Sequence, residues 1–338
     1  MNNKKWQLPF LLLLIIGTFL IIQRHRPSNV SFQQNEGTIF GTVWHATYQS
    51  DSSLQTSIIE VLQQVDASLS MFNPQSTLSR INRNESNKTD SLFDVVFTQA
   101  QQISQATNGA FDITVAPLVN AWGFGFKNGS MPDSMQVDSL RQFVGWQGVS
   151  LENGLVTKAD PRMVLDLSAI AKGFGVDQVA HLFRSHGIKN FMIEIGGEIV
   201  VSGCNPKGND WSIGVNKPVD DSLSTNHEIE TILRLTDCAM ATSGNYRNYY
   251  ISADGRKLAH TIDPATGYPV QHSILSSTVL APTCAMADAF ATSFMVMGLD
   301  SAQSVLNIHP ELQAYFIYTD SKGKYSIWSS ASLSDKIK

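Results

Sequence analysis

The stretch that decides the fold reads Val164-Leu165-Asp166-Leu167-Ser168-Ala169-Ile170-Ala171-Lys172-Gly173 and runs on through His186-Gly187 to Phe191-Met192-Ile193-Glu194-Ile195-Gly196-Gly197-Glu198. Ser168 to His186 reads as a helix ended by Gly187, and FMIEI (191–195) as a compact apolar strand stopped by two glycines. Working outward, GTIFGTVWHATYQ (37–49) alternates with the period of a strand that buries one face. Ser53 to Leu69 repeats Leu54, Ile58, Val61, Leu62, Val65 and Leu69 at helical spacing, and Leu92 to Ala106 does the same behind Asp90 or Ser91 as N-cap. Strands are predicted at 211–215, 228–235, 246–252 and 276–280, a helix at 285–297, and a closing hairpin from 315–318 and 325–328. Helices and strands mix without a strict βα repeat. This argues for an α+β chain with one mixed domain over 38–330, a polar linker at 28–37 and a short tail at 331–338.

Composition narrows the function. Of 338 residues, 43% are hydrophobic and 16% charged, an ordinary folded composition that rules out disorder and collagen. The formal charge is -5, and four of the 24 basic residues (Lys4, Lys5, Arg24, Arg26) precede residue 28 with no acid among them, so the remainder is more acidic still. A basic nucleic-acid footprint is absent. Three scattered cysteines make no disulfide framework, and without CxxC or HExxH a metal must be held by oxygen. No P-loop, Rossmann glycine triad or GxSxG elbow occurs.

At the amino terminus Lys4 and Lys5 precede the apolar run Leu8 to Ile22, which Gln23, Arg24, His25 and Arg26 follow. This is an export signal. Its length falls between a signal-peptide core and a spanning helix, but no pair of small residues offers a cleavage site, which favours an uncleaved anchor at 1–27. The rest of the chain is then expected on the exported face.

Four segments put polar groups into apolar surroundings. In GAFDITVAP (109–117) Asp112 interrupts an apolar stretch, as a cap or as a ligand-binding carboxylate. In VLDLSAIAKG (164–173) Asp166 ends a strand that enters a helix carrying Lys172, where amides and ammonium suit a phosphate, or the pair is an N-cap with a solvated lysine. In EIGGE (194–198) two glycines allow a ligand to approach backbone amides, or form a plain bulge. In AMADAFATS (285–293) Asp288 and Thr292 share one helical face, and carboxylate plus hydroxyl suits magnesium, although a close-packed alanine helix with one polar stripe has the same spacing. His260 opens the turn-rich loop HTIDPATGYP (260–269), as a general base or a histidine satisfied within the loop.

Taken in order, these strings resemble the ApbE family, the FAD:protein FMN transferases. The resemblance runs from about Gly41 to Ile327 and rests on Met71-Phe72 with STLSRIN (76–82), GAFDITVAPLVNAWGFG, LDLSAIAKGFGVD, EIGGEIVVSG, ATSGNYR, HTIDPATGYPV and the Asp288 helix. It implies a T-fold-like α+β enzyme, exported and often lipid-anchored, that uses magnesium to move FMN from FAD onto a threonine or serine of a partner flavoprotein with release of AMP. Some members instead hydrolyse FAD, and a flavin-binding protein without turnover is a third reading. Carried over, Met71, Ala110, Phe111, Asp112, Asp166 and Lys172 line the FAD site with Ile262 close by. The Ala169 carbonyl, Asp288 and Thr292 hold the metal, His260 is the candidate base, and Thr242 and Ser243 position flavin or acceptor. Two features depart from the family pattern: many relatives begin the first site segment with a methionine, two small residues and a tyrosine, whereas Phe72-Asn73 follows Met71 here, and no lipid-attachment cysteine is present.

Overall fold

A computed structural model describes residues 31–125, 131–218, 228–245, 249–251, 257–271 and 273–338. The expected signal or anchor, 1–27, lies outside them, as does much of the strand expected at 246–252. Among the described residues no helix is long and apolar enough to cross a membrane.

The alternation over 37–49 belongs to two strands. β1 (Phe32–Ile39) and β2 (Thr42–Gln49) pair antiparallel through a two-residue turn in which Phe40 (φ 52°) and Gly41 (φ 74°) both take the left-handed conformation. Such a turn matches the strand twist and reverses the chain without breaking the alternation, so periodicity alone reads it as one element. β1 also starts five residues before the expected end of the linker. Its Gln33, Gln34, Asn35 and Glu36 pair with β2 at the edge of a sheet, where polar side chains reach water, Asn35 accepts from the Tyr48 hydroxyl and Glu36 faces His45.

The helices follow their apolar spacing: α1 (Gln55–Leu69), α2 (Thr77–Asn82), α3 (Ser91–Ala106), α4 (Ala116–Ala121), α5 (Ser134–Arg141), α6 (Ser168–Ser185), α7 (Cys284–Met297) and α8 (Leu299–Ile308). Asp90 is the N-cap of α3: one oxygen accepts from the Leu92 and Phe93 amides and Ser68 Oγ, the other from Thr77 Oγ1 at 2.6 Å, which ties α1, α2 and α3 together. The short helices α2, α4 and α5 have too few turns for a decisive sequence pattern, whereas α8 buries Ala302, Val305 and Leu306 on one face.

The remaining strands are β3 (Val149–Glu152), β4 (Leu155–Lys158), β5 (Phe191–Ile195), β6 (Glu198–Ser202), β7 (Trp211–Asn216), β8 (Ile229–Leu235), β9 (Cys238–Gly244), β10 (Tyr249–Ile251), β11 (Lys257–Ala259), β12 (Ile274–Ala281), β13 (Gln313–Thr319) and β14 (Tyr325–Ser329). Eight form one sheet in the order β1-β2-β5-β6-β9-β12-β13-β14, every neighbouring pair antiparallel. One face carries the helices, with Trp44, Tyr48 and Ile193 packed on Ile58, Leu62, Val179 and Phe183, and Val279 and Phe316 on Phe294. On the other face the β7–β8 ribbon lays Trp211, Ile213, Leu233 and Leu235 over Val201, Met240, Leu280 and Ile317. Full burial of each such side chain contributes about 1.5–3 kcal/mol. Helices on one face and a ribbon on the other make a single mixed α/β domain, as expected.

The expected tail is part of this second layer. Residues Ala331–Lys336 form a 3-10 turn that buries Leu333, Ile337 packs beside it and bridges to Leu233, and the Lys338 amide donates to the Ile232 carbonyl, so two apolar residues dock the short segment on the ribbon.

Candidate active site

The site is built where α6 and α7 meet. Gly173 of α6 lies directly against the start of α7: a Cβ there would stand 2.3 Å from the Cys284 carbonyl oxygen. Only a residue without a side chain permits that approach. Asp177, one turn further along α6, accepts hydrogen bonds from the Cys284 and Ala285 amides at 2.8 and 2.9 Å, and Thr283 caps Met286. In the opposite sense Asp288 of α7 accepts from the Gly173 amide at 3.1 Å. One turn later Thr292 Oγ1 lies 3.0 Å from Ser243 Oγ on β9.

The glycine pair between β5 and β6 sets the floor. Gly196 and Gly197 have φ of 62° and 106°, and the tight turn brings Glu198 beneath α6, where it accepts from Lys172 Nζ. Glu198 is 3% exposed, and its second carboxylate oxygen is buried with no hydrogen-bond partner among the described residues. Lys172, Glu198 and Asp288 therefore form a buried cluster of one cation and two acids. Burial pushes the Glu198 carboxyl up to about 7 against the pull of Lys172, and burial also raises Asp288. Burial by itself lowers the Lys172 ammonium, but the charges of Asp288 and Glu198 outweigh it and hold the group above its usual range. The solvated lysine considered from sequence is thus replaced by an ion pair.

Two expectations on the opposite wall change. Asp166 does not end a strand: residues 163–167 are a connection outside any strand or helix, with the Asp166 amide donating to the Ile113 carbonyl and its carboxylate accepting from the Ser168 amide at 2.8 Å. Apolar residues there are buried by neighbouring helices without a strand partner, which hydropathy does not distinguish from a strand. Asp112 is neither a helix cap nor a free carboxylate. It accepts from the Thr114 amide and hydroxyl (2.7 and 2.6 Å) and from the Trp146 amide (2.9 Å), bracing the loop, and burial raises its pKa. Nearby, Ser168 Oγ donates to Met71 Sδ at 3.6 Å.

The third wall is the loop of His260. Asp263 holds the Ala265 amide and the Thr266 hydroxyl, Trp122 Nε1 donates to the Gly267 carbonyl at 2.8 Å, and Ile262 bridges to Pro269. The half-buried His260 ring meets Phe124 edge-on, 6.3 Å between centroids.

These walls enclose a cavity of about 510 Å³. Met71, Ala110, Phe111, Asp112, Asp166, Ala169, Lys172, His260, Ile262, Asp288 and Thr292 all line it, so the structure brings together every site candidate named from sequence. Thr242 and Ser243 line it as well, and so do Phe72, 66% exposed at the mouth, and Glu198. Glu198 and Asp177 had no assigned role in the sequence reading. An acid directly after a glycine pair at a strand end was the only signal for the first, and the second had none. Its lining combines apolar and aromatic side chains (Met71, Phe72, Phe111, Phe124) with charged and hydroxylic ones (Lys172, Glu198, Asp288, Thr292, Ser243). Such a lining suits a ligand that combines a flat ring with an anionic group. Among the described residues no three His, Cys, Asp or Glu side chains gather as metal ligands. A separate hollow of about 460 Å³ beside Asn84 and Lys158 shares none of these residues, and its lysine is spent on the carbonyls of Ile81, Pro161 and Met163.

The model of the ApbE family matches residues 40–316. The chain is 37% identical over 312 residues to the FAD:protein FMN transferase of Haemophilus influenzae, covering 87% of this chain and 89% of that protein. With the FAD:protein FMN transferase of Vibrio cholerae it shares 38% over 280 residues, 80% of this chain and 82% of the relative. A solved structure of the flavin transferase ApbE from Vibrio cholerae superposes with a TM-score of 0.82 at 33% identity, over 90% of this chain and 99% of that one. The chain belongs to the ApbE family.

Proposed function

We propose that this protein is an FAD:protein FMN transferase: it moves FMN from FAD to a threonine or serine hydroxyl of an acceptor flavoprotein, with magnesium, and releases AMP. The observation that carries the reading is the cavity itself, whose lining joins aromatic side chains suited to a flavin ring with an acid-lysine-hydroxyl group suited to a pyrophosphate.

The oxygen donors fit magnesium. The buried cluster holds two carboxylates against one ammonium, which leaves room for positive charge, and one Glu198 oxygen has no partner among the described residues. The Gly173 N–H that reaches Asp288 is the regular helical donor to the Ala169 carbonyl, so the two oxygens compete for one proton and retain acceptor capacity. Ala169 O, Asp288 and Thr292 Oγ1 would hold the ion, with water and substrate phosphate completing the shell as magnesium prefers. When bound, the cation supplies charge neutralisation for the pyrophosphate and for the departing AMP.

The chain's own residues do the rest. Lys172, steadied by Glu198, offers a point charge to the phosphates, Phe111 and Met71 cover the ring, and His260 takes the proton from the acceptor hydroxyl as its oxygen bonds to the FMN phosphorus and the bond to AMP breaks. We further propose that residues 8–22 anchor the chain in the membrane, with the catalytic domain on the exported, periplasmic face beside an acceptor such as an FMN-binding subunit of a membrane redox complex.

The test is to incubate the purified protein with FAD, magnesium and an FMN-binding acceptor domain while following AMP and acceptor mass together. A mass gain that matches AMP release and disappears with EDTA is expected. AMP release over an unmodified acceptor would indicate an FAD pyrophosphatase, and binding without AMP a flavin carrier.

A further inference from the structure

The two helices that carry the donors clasp each other twice, in opposite senses. Asp288 on α7 receives an amide of α6, and Asp177 on α6 receives two amides of α7, with Gly173 and Cys284 in backbone contact between them. The spacing is four residues on each helix, 173 to 177 and 284 to 288, so both contacts fall on the same pair of facing stripes. Asp177 does not line the cavity. Its carboxylate sits on the first amides of α7, the positive end of that helix, where a negative charge is stabilised and the helix axis is held.

This matters because the donors are divided between the two helices: the Ala169 carbonyl belongs to α6, and Asp288 and Thr292 belong to α7. Their separation depends on the register of α7 along α6. The backbone contact at Gly173 fixes how closely the helices approach, and the Gly173 amide on Asp288 adds one directional link against sliding. The two hydrogen bonds that the Asp177 carboxylate accepts from α7 supply the other two.

We propose that Asp177 is a positioning residue for the cation site: it touches neither FAD nor metal, and it sets affinity for the ion by holding α7 in register with Ala169. The inference rests on the magnesium reading above. Its test uses the full chain without FAD, with Mn2+ as a spectroscopic probe of the magnesium site, and compares the native protein with Asp177→Asn and Asp177→Ala. Outer residues that orient metal ligands are worth roughly ten- to a hundredfold in affinity. Asp177→Ala is expected to weaken Mn2+ binding by about tenfold or more and to raise the magnesium concentration for half-maximal AMP release by a similar factor, with kcat at saturating magnesium within about twofold of native. Asp177→Asn, nearly isosteric and still able to accept one amide, is expected to fall between and covers the case in which the alanine variant does not fold. Unchanged Mn2+ affinity in a folded variant, with only a lower Tm, would overturn the positioning role and leave the magnesium reading intact. A native chain that binds no Mn2+ would overturn both.

Discussion

Gly173 on α6 and Cys284 on α7 are in backbone contact, with space for a hydrogen but not for a methyl group. The relationship explains why the motif that carries Lys172 is followed by glycine. The helices must touch for Asp288 to reach across, and the touch leaves the Gly173 amide pointing at its carboxylate.

Gly173→Ala is therefore expected to force the helices apart. A Cβ 2.3 Å from a carbonyl oxygen cannot be relieved by a side-chain rotation, because the opposing atoms are backbone. Overpacking of this kind costs about 1–3 kcal/mol. Urea denaturation should report that loss, and AMP release should fall more than stability alone explains, since Asp288 loses its donor.

Asp288→Ala removes the carboxylate from the proposed ligand set of Ala169 O, Asp288 and Thr292 Oγ1. AMP release is expected to drop at least about a hundredfold, because metal-borne charge stabilisation is worth several kcal/mol. A fluorescence titration with FAD separates this from failure to bind: retained flavin affinity with lost turnover is the expected pattern, and retained turnover would remove the metal assignment.

His260→Ala is expected to slow transfer to the acceptor by about a hundredfold or more, the usual contribution of a positioned base. FAD binding should change little. Single-turnover measurement of acceptor mass, with FAD and magnesium saturating, checks it.

The metal-free protein should become more stable as pH falls from about 8 towards 5. Burial lifts Glu198 from 4.5 to about 7 and Asp177 from 3.8 to about 6. A carboxyl raised on folding binds its proton more tightly in the native state, so its contribution is full below the unfolded pKa and is lost as pH rises through the folded one. The slope is at most about 1.4 kcal/mol per pH unit for each group. Thermal melts in EDTA at pH 8, 7, 6 and 5 should show Tm rising on acidification, and Glu198→Gln should flatten the upper part of that rise. A flat profile in the native protein would contradict the burial of these two acids.

Much of this architecture was legible in the chain. Apolar spacing marks α1 and α3, and Asp90 caps α3 as its position suggests. The 191–195 strand, the closing hairpin at β13 and β14 and the Asp288 helix follow from local pattern too, since side-chain periodicity records which face is buried. The residue types around the cavity were also readable, because polar groups inside apolar runs need a reason to be there. β6 and β9 were not. They lie in the middle of the sheet, where burial on both faces suppresses the alternation that marks a half-buried strand.

Sequence by itself therefore determined the class of the domain, the helices that carry the site and the oxygen chemistry available to it. Tertiary structure alone decided who partners whom: that Lys172 is held by Glu198, that Asp112 braces a loop through Trp146, and that Gly173 and Asp288, 115 residues apart, share one hydrogen bond. The physical reason is range. Propensity, capping and periodicity act over a few residues, whereas these contacts join residues 26 to 115 apart in the chain, which only the closed tertiary structure brings together.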